Sequence, residues 1–351
     1  MRTLKGPRER SRNFGVAVCF EFPKATMGTS AAPTSHFMHH HFTPAVYHNS
    51  LGSHPAVLTV ESGDTVTTDT VDARGLDRER KQVALRGNPM TGPFAVHGAD
   101  AGDALAVRIV EITPSRSYGF TTASIAAHCV DPSYVTSLPL NDLVEWEIDT
   151  TTNSVRFIGT RPGGMPELVL PLDPLLGCFG VAPARQQALS TATSGPYGGN
   201  MDYRACRAGS VVLFPVSVPG GLFFLGDAHA VQGDGEISGN GVEVSTRTTF
   251  ELHLVKGYAL EWPRLIDRGG IATIGNARPL EQATQHATTE MLRWLIQDAG
   301  LDAAGASLWL QQCVRYDMGN IFDPAYTMAC RLPREYWPAA LSESAMIRRF
   351  G

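Results

Sequence analysis

The chain has no Cys-x-x-Cys pair. Cys19, Cys129, Cys178, Cys206, Cys313 and Cys330 stand singly and far apart in 351 residues. That scatter excludes a paired-thiol redox motif and a dense disulfide frame, and reads as reduced thiols in a cytoplasmic protein. There is no run of eighteen apolar residues, so a membrane-spanning helix is excluded. Neither sign of charge dominates: 29 Lys and Arg against 34 Asp and Glu leave a net charge of −5. Without a basic stripe, nucleic acid is excluded as the expected partner. Also missing are a Gly-x-Ser-x-Gly elbow, a His-Glu-x-x-His helix, a Walker loop and a Gly-x-Gly-x-x-Gly turn ahead of a helix.

What is present is a repeated turn-and-strand grammar. Glu61-Ser62-Gly63-Asp64 precedes an alternating run from Thr65 to Val71, and Ala99-Asp100-Ala101-Gly102-Asp103 precedes Ala104 to Ile112. Arg207-Ala208-Gly209-Ser210 before Val211 to Phe214 is a third variant. Val242, Val244, Thr246, Thr248, Phe250, Leu252 and Leu254 alternate along one face of a strand pair or of one long bent strand. Such units predict a mainly β protein with a sandwich or barrel-like core. The last part differs. Ala283, Ala287, Met291, Leu292, Leu295 and Ile296 recur at helical spacing between Pro279 and Gly300. A second helix is expected over 303–317, capped by Asp302, with Leu308, Leu310 and Val314 inward. The expected organisation is a leader over 1–45, a catalytic domain over 46–335 and a tail over 336–351.

The leader opens with Arg2, Lys5, Arg8, Arg10 and Arg12 but has only a short apolar patch, Val16 to Phe22. It reads as a flexible segment, or as sequence ahead of a start at Met27, with a transit peptide as the alternative because acidic residues are scarce. A secretory signal would need a longer apolar core and a small-residue cleavage site. The cluster His36, His39, His40 and His41 reads as a mobile or surface tract before a metal site.

The densest chemistry lies at Gly226-Asp227-Ala228-His229-Ala230-Val231-Gln232-Gly233-Asp234-Gly235-Glu236, directly after an apolar strand. One imidazole and three carboxylates among glycines and alanines suit a divalent ion. Asp227 and His229 share a face of an extended strand, and Asp234 and Glu236 repeat that spacing beyond a turn. Taken singly, each is an ordinary polar turn residue; the four together mark a site. Gly198-Gly199-Asn200-Met201-Asp202 adds two oxygen ligands beside two small residues, or is an Asx-turn between strands. His97 closes a rigid loop that begins at Asn88-Pro89; alone it reads as a packed core or interface histidine. With the familiar nucleophile motifs missing, chemistry by a metal-activated water remains. A structural calcium site in a non-enzymatic β protein is the rival reading, since oxygen-rich ligands suit calcium.

From about His48 to Pro333 the chain resembles the acetamidase/formamidase family. The marks are Leu58 to Val66, Thr91-Gly92-Pro93, Gly98-Ala99, Gly102-Asp103, Gly198 to Asp202, Gly209-Ser210, Phe214-Pro215-Val216 and Gly226 to Glu236. The resemblance implies a β-rich fold, a homo-oligomer and a divalent metal, zinc first and calcium second. It implies hydrolysis of a small amide to a carboxylate and ammonia, with lactams as the alternative substrate. On that basis Asp202, Asp227, His229 and Asp234 are expected to hold the metal, and Glu236 to act as base and acid. The N–H groups of Gly198 and Gly199 are expected to bind the substrate oxygen, with Asn200 and Tyr197 beside them. His97 stands where the family pattern has an acidic residue and is expected to orient the substrate or join the site.

Overall fold

The computed structural model describes residues 37–341. The expected leader up to residue 36, with its His36, and the end of the expected tail, 342–351, lie outside the described residues. The rest of the leader does not stand apart: His39–Phe42 is an edge strand paired in parallel with Thr65–Asp69. The sheet begins at the histidine tract because Thr65 to Asp69 would otherwise expose a bare edge.

Two open sheets face one another. The first has nine strands, with Thr246–Val255, Ala104–Pro114 and Val211–Pro215 side by side near its middle and Arg315–Met318 at the edge away from His39–Phe42. The second has eleven, centred on Phe223–His229, which pairs with Leu175–Val181, Thr91–Val96 and the short strand Glu243–Val244. The result is the expected mainly β sandwich, without a closed barrel. Its core is aromatic. Phe94 and Phe223 of the second sheet meet Phe250 of the first edge-on, with ring centroids 5.3 and 5.2 Å apart. Phe179 meets Phe214 in the same way at 5.4 Å. Edge-to-face pairs of this kind add about 0.5–1.5 kcal/mol each beyond their area.

Helix α1 spans Leu280–Ala299, as its periodicity predicts, and ends on Gly300 in the left-handed conformation (φ 68°). Ala287, Met291, Trp294 and Leu295 bury against Ile271, Cys330 and Leu332 on the outer face of the first sheet. Gly275 permits the approach: a Cβ there would meet Ala287 N at 2.5 Å. Helix α2 spans only Ala303–Cys313, four residues short of expectation, with Asp302 accepting from Gly305 N at 2.7 Å. Residues Arg315–Met318 form the edge strand instead, satisfying the open edge of Tyr326–Pro333. Leu308, expected inward, is exposed, because α2 lies at the surface on Ala306 and Leu310. The expected tail boundary also moves, since Leu341 is fully buried in the helical core. No described helix is long and apolar enough to cross a membrane.

The repeated Gly-Asp turns are structural staples. Asp64 accepts from Glu61 N, Met38 N and His40 Nε2, and Asp103 from Asp100 N, Gly257 N and Lys256 Nζ, at 2.7–3.1 Å. Burial by itself would raise both carboxyls, but these donors outweigh it and hold both below their ordinary values. A carboxyl depressed in the folded state stabilises fully above its unfolded value, about 3.9, and ceases to do so as pH falls through the folded one. Asp64→Ala and Asp103→Ala should therefore each lower unfolding free energy by about 1–3 kcal/mol at pH 7. In urea titrations that difference from the parent should shrink below about pH 4; a pH-independent difference would contradict the assignment.

Candidate active site

The central strands of the second sheet carry the site at the His229 end. The ladder pairs Leu176 with Ala228 and Cys178 with Gly226. Asp227 lies between these pairs, opposite Gly177, in the left-handed region at φ 48°. The Gly177 carbonyl accepts from Met201 N and Asp202 N at 3.0 and 3.1 Å, which draws the 198–202 strand end onto the same spot. A side chain at Gly177 would collide with Asp202 Oδ1 and come within 2.9 Å of His229 Cε1, so a bare backbone is required there. His229 and Glu243 are direct cross-strand partners, which puts both side chains on one face.

The side chains that converge are Asp202, Asp227, His229, Glu236 and Glu243, with Asp323 beside them; all are buried. Ligand atoms of Asp202, His229 and Glu236 lie within 4.8 Å of one another, as do those of Asp227, His229 and Glu243. His229 belongs to both groups. Its Nε2 is 3.1 Å from Glu243 Oε1 and 3.7 Å from Asp227 Oδ1, yet has no hydrogen-bond partner. Asp202 Oδ1, Asp227 Oδ1 and Glu243 Oε2 are likewise buried and unpartnered. Other oxygens around the cluster are tied down by asparagines. Asn88 Nδ2 donates to Asp227 Oδ2 and to Asn200 Oδ1, both at 2.9 Å. Asn200 Nδ2 donates to Asp323 Oδ2 at 2.6 Å, and Asn320 Nδ2 lies 3.4 Å from Asp202 Oδ2.

The electrostatics are lopsided. Among the described residues no Lys or Arg ion-pairs with any of these five carboxylates. Burial pushes Asp202 up, and the charges of Glu236, Asp323 and Asp227 push it further. Burial likewise raises Glu236, only partly offset by His229. Burial lifts Glu243 to about 7 and Asp323 to about 6. For His229, burial opposes protonation, but the charges of Glu243 and Asp227 outweigh it and raise the imidazole well above its ordinary value. Cys178 is inert here, because burial and then Asp227 and Asp202 hold its thiol well above normal. Asp202, Asp227 and Glu236 also occupy positive φ (45°, 48° and 43°), as does Asn88 at 56°. Each such residue costs on the order of 1–3 kcal/mol unless its surroundings hold it there.

Of the ten residues singled out in the sequence, Asp202, Asp227, His229 and Glu236 come together and Asn200 braces them. Asp234 does not join them: the glycines on either side turn it outward, where it pairs with Arg204 at 3.0 Å. His97 is exposed and lies 3.3 Å from Glu61. It follows Phe94, the partner of Phe223, and Phe223 is itself six residues from His229, so at least about 20 Å of strand separates His97 from the site. Gly198 and Gly199 are core glycines. Their strand has a neighbour on each side, and a Cβ on Gly198 would meet Phe179 O at 2.7 Å. Tyr197 packs over Gly195 and Gly199 in the main core. Glu243 and Asp323 were missed. Glu243 sits between inward-facing Val242 and Val244 and reads as the solvated face of a strand. Asp323 follows Glu236 by 87 residues, with only the turn-like Asn320 to Pro324 as a signal.

Relatives of the same build are named formamidases and acetamidases, and the chain is a hydrolase acting on carbon–nitrogen bonds of linear amides. The family model that matches is described as the Acetamidase/Formamidase family, over residues 37–194 and 184–279. The chain belongs to that family. It is 23% identical over 316 residues to a formamidase of Methylophilus methylotrophus, covering 75% of this chain and 74% of that one. Among solved structures it is similar to an acetamidase from Yersinia enterocolitica (31% identity, TM-score 0.74), over 86% of this chain and 94% of that one. It also matches an acetamidase from Bacillus halodurans (28% identity, TM-score 0.71), over 84% of this chain and 98% of that one.

Proposed function

We propose that this site hydrolyses a small linear amide, of formamide or acetamide size, with a divalent ion held by Asp202, Asp227, His229 and Glu243. The observation that carries the reading is a pair of buried ligand groups that share His229, Asp202–His229–Glu236 and Asp227–His229–Glu243, in which one nitrogen and three oxygens have no hydrogen-bond partner. An imidazole nitrogen with carboxylate oxygens suits zinc better than the all-oxygen shell of calcium. Five buried carboxyls around one imidazole either stay protonated, in line with the raised pKa of Asp202, Glu236 and Glu243, or ionise around a bound cation, and the second state is the one this reading uses. When bound, such an ion supplies an acidified water, its pKa brought from about 15.7 towards about 7, and a polarised carbonyl.

The chain's own residues do the rest. Glu236 takes the proton from the attacking water and returns it to the departing nitrogen, which leaves as ammonia. Asn88 and Asn200 hold the carboxylates in place, so that they need not reorganise during the reaction. Small size is favoured because the polar centre is nearly closed: Glu236 is 5% exposed, Asn200 5% and Asp323 8%. The test is ammonia release from formamide, acetamide, longer amides and a γ-lactam, with a chelator and after zinc is restored. Release from the two smallest amides, lost with chelator and recovered with zinc, is expected. Release that ignores the chelator would remove the metal from the reading, and preference for the γ-lactam would move the substrate to cyclic amides.

A further inference from the structure

Gln232 plays no part in the chemistry above, although it lies inside the densest motif and is 4% exposed. Its two amide atoms face different segments. Gln232 Nε2 is 2.6 Å from the backbone carbonyl of Asp202, and Oε1 is 2.8 Å from His229 Nδ1. A carbonyl only accepts, so the NH₂ end must face Asp202 and the oxygen must face the imidazole. That oxygen in turn only accepts, so Nδ1 must carry a proton. In the neutral imidazole the lone pair is then on Nε2, the atom that points unpartnered among Asp202, Asp227 and Glu243.

We infer that Gln232 is a positioning residue that fixes His229 in the Nδ1–H form, aims Nε2 at the ion, and couples this to the left-handed turn at Asp202. The inference rests on the proposed metal site. Neighbours that orient a ligating histidine commonly change metal affinity by about 10–100-fold when removed. Gly241 leaves the ring no room to swing aside, since a Cβ there would lie 2.5 Å from His229 Nδ1. Packing therefore confines the plane of the ring, while Gln232 fixes its proton and which nitrogen faces the carboxylates.

The test uses the full chain and zinc as the probe. Gln232→Met keeps the length without an acceptor, and Gln232→Asn keeps the amide but cannot span both partners. Zinc affinity is read by chelator competition, and the His229 Nδ1–H by its slowly exchanging signal in nitrogen-15 NMR of the zinc-loaded protein. Parent protein should bind zinc and show the protected Nδ1–H. Both variants should fold, bind zinc about 10–100-fold more weakly and lose that protection. Parent-like affinity, or a retained Nδ1–H signal, in a folded variant overturns the role of Gln232 and leaves the metal reading standing. Parent protein that binds no zinc overturns the metal reading, and the positioning role with it. If Gln232→Met does not fold, Gln232→Asn decides alone; failure of both to fold would make Gln232 a structural residue and overturn the role.

Discussion

His229→Ala should remove zinc binding and amide hydrolysis together. The imidazole is the only nitrogen ligand of the two groups and the only member they share. Neighbours that merely orient a ligand cost about 10–100-fold, so losing the shared ligand should exceed a hundredfold in zinc affinity. Turnover should fall with it to the level of the metal-free protein. The fold should survive at neutral pH, because the aromatic core between the sheets makes no use of His229. The measurements are zinc titration against a chelator and ammonia release by the same preparation. A folded variant that keeps its zinc would mean that the carboxylates alone hold the ion, the behaviour of a calcium-type site.

Glu236→Gln separates holding from reacting. The amide keeps the shape and one oxygen but cannot take a proton at working pH. If Glu236 moves the proton, turnover should drop by at least about a hundredfold, while zinc affinity changes by less than tenfold, about 1.4 kcal/mol. If Glu236 is chiefly a ligand, affinity and turnover should fall in parallel. Near-normal turnover would contradict both roles. The residue sits where both are geometrically open, within reach of Asp202 and His229, so the comparison with His229→Ala carries the decision.

The sandwich was readable because alternation and Gly-Asp turns are local. Val242 to Leu254 did form buried strand faces, and the Pro279 and Gly300 stops bound α1 as expected. The shortened α2 was not readable, because residues 315–318 become a strand only once Tyr326–Pro333 is there to pair with. Asp227, His229 and Glu236 were legible as one segment, and Asp202 as a second. Asp234 misled because period-two spacing assumes an extended strand, whereas glycines at 233 and 235 break it. Glu243 was hidden by a face that is solvated in a two-layer fold only where no other segment covers it. Asp323 reaches the site through tertiary folding alone, as does Asn88, whose two donated bonds span 112 and 139 residues of chain. His97 was carried by its position in the family pattern and not by its surroundings.

The left-handed backbone at Asp202, Asp227 and Glu236 has a bearing on engineering. Glycine would relax each position, so replacements that ease the main chain here erase the proposed ligands and proton carrier. A campaign that selected only for heat resistance would accept changes at these three residues. It would yield a sturdier shell that no longer turns over amide. Hardening this enzyme therefore calls for a screen that keeps ammonia release as a condition, with changes directed to the helical face and the outer strands, where the backbone carries no such tension.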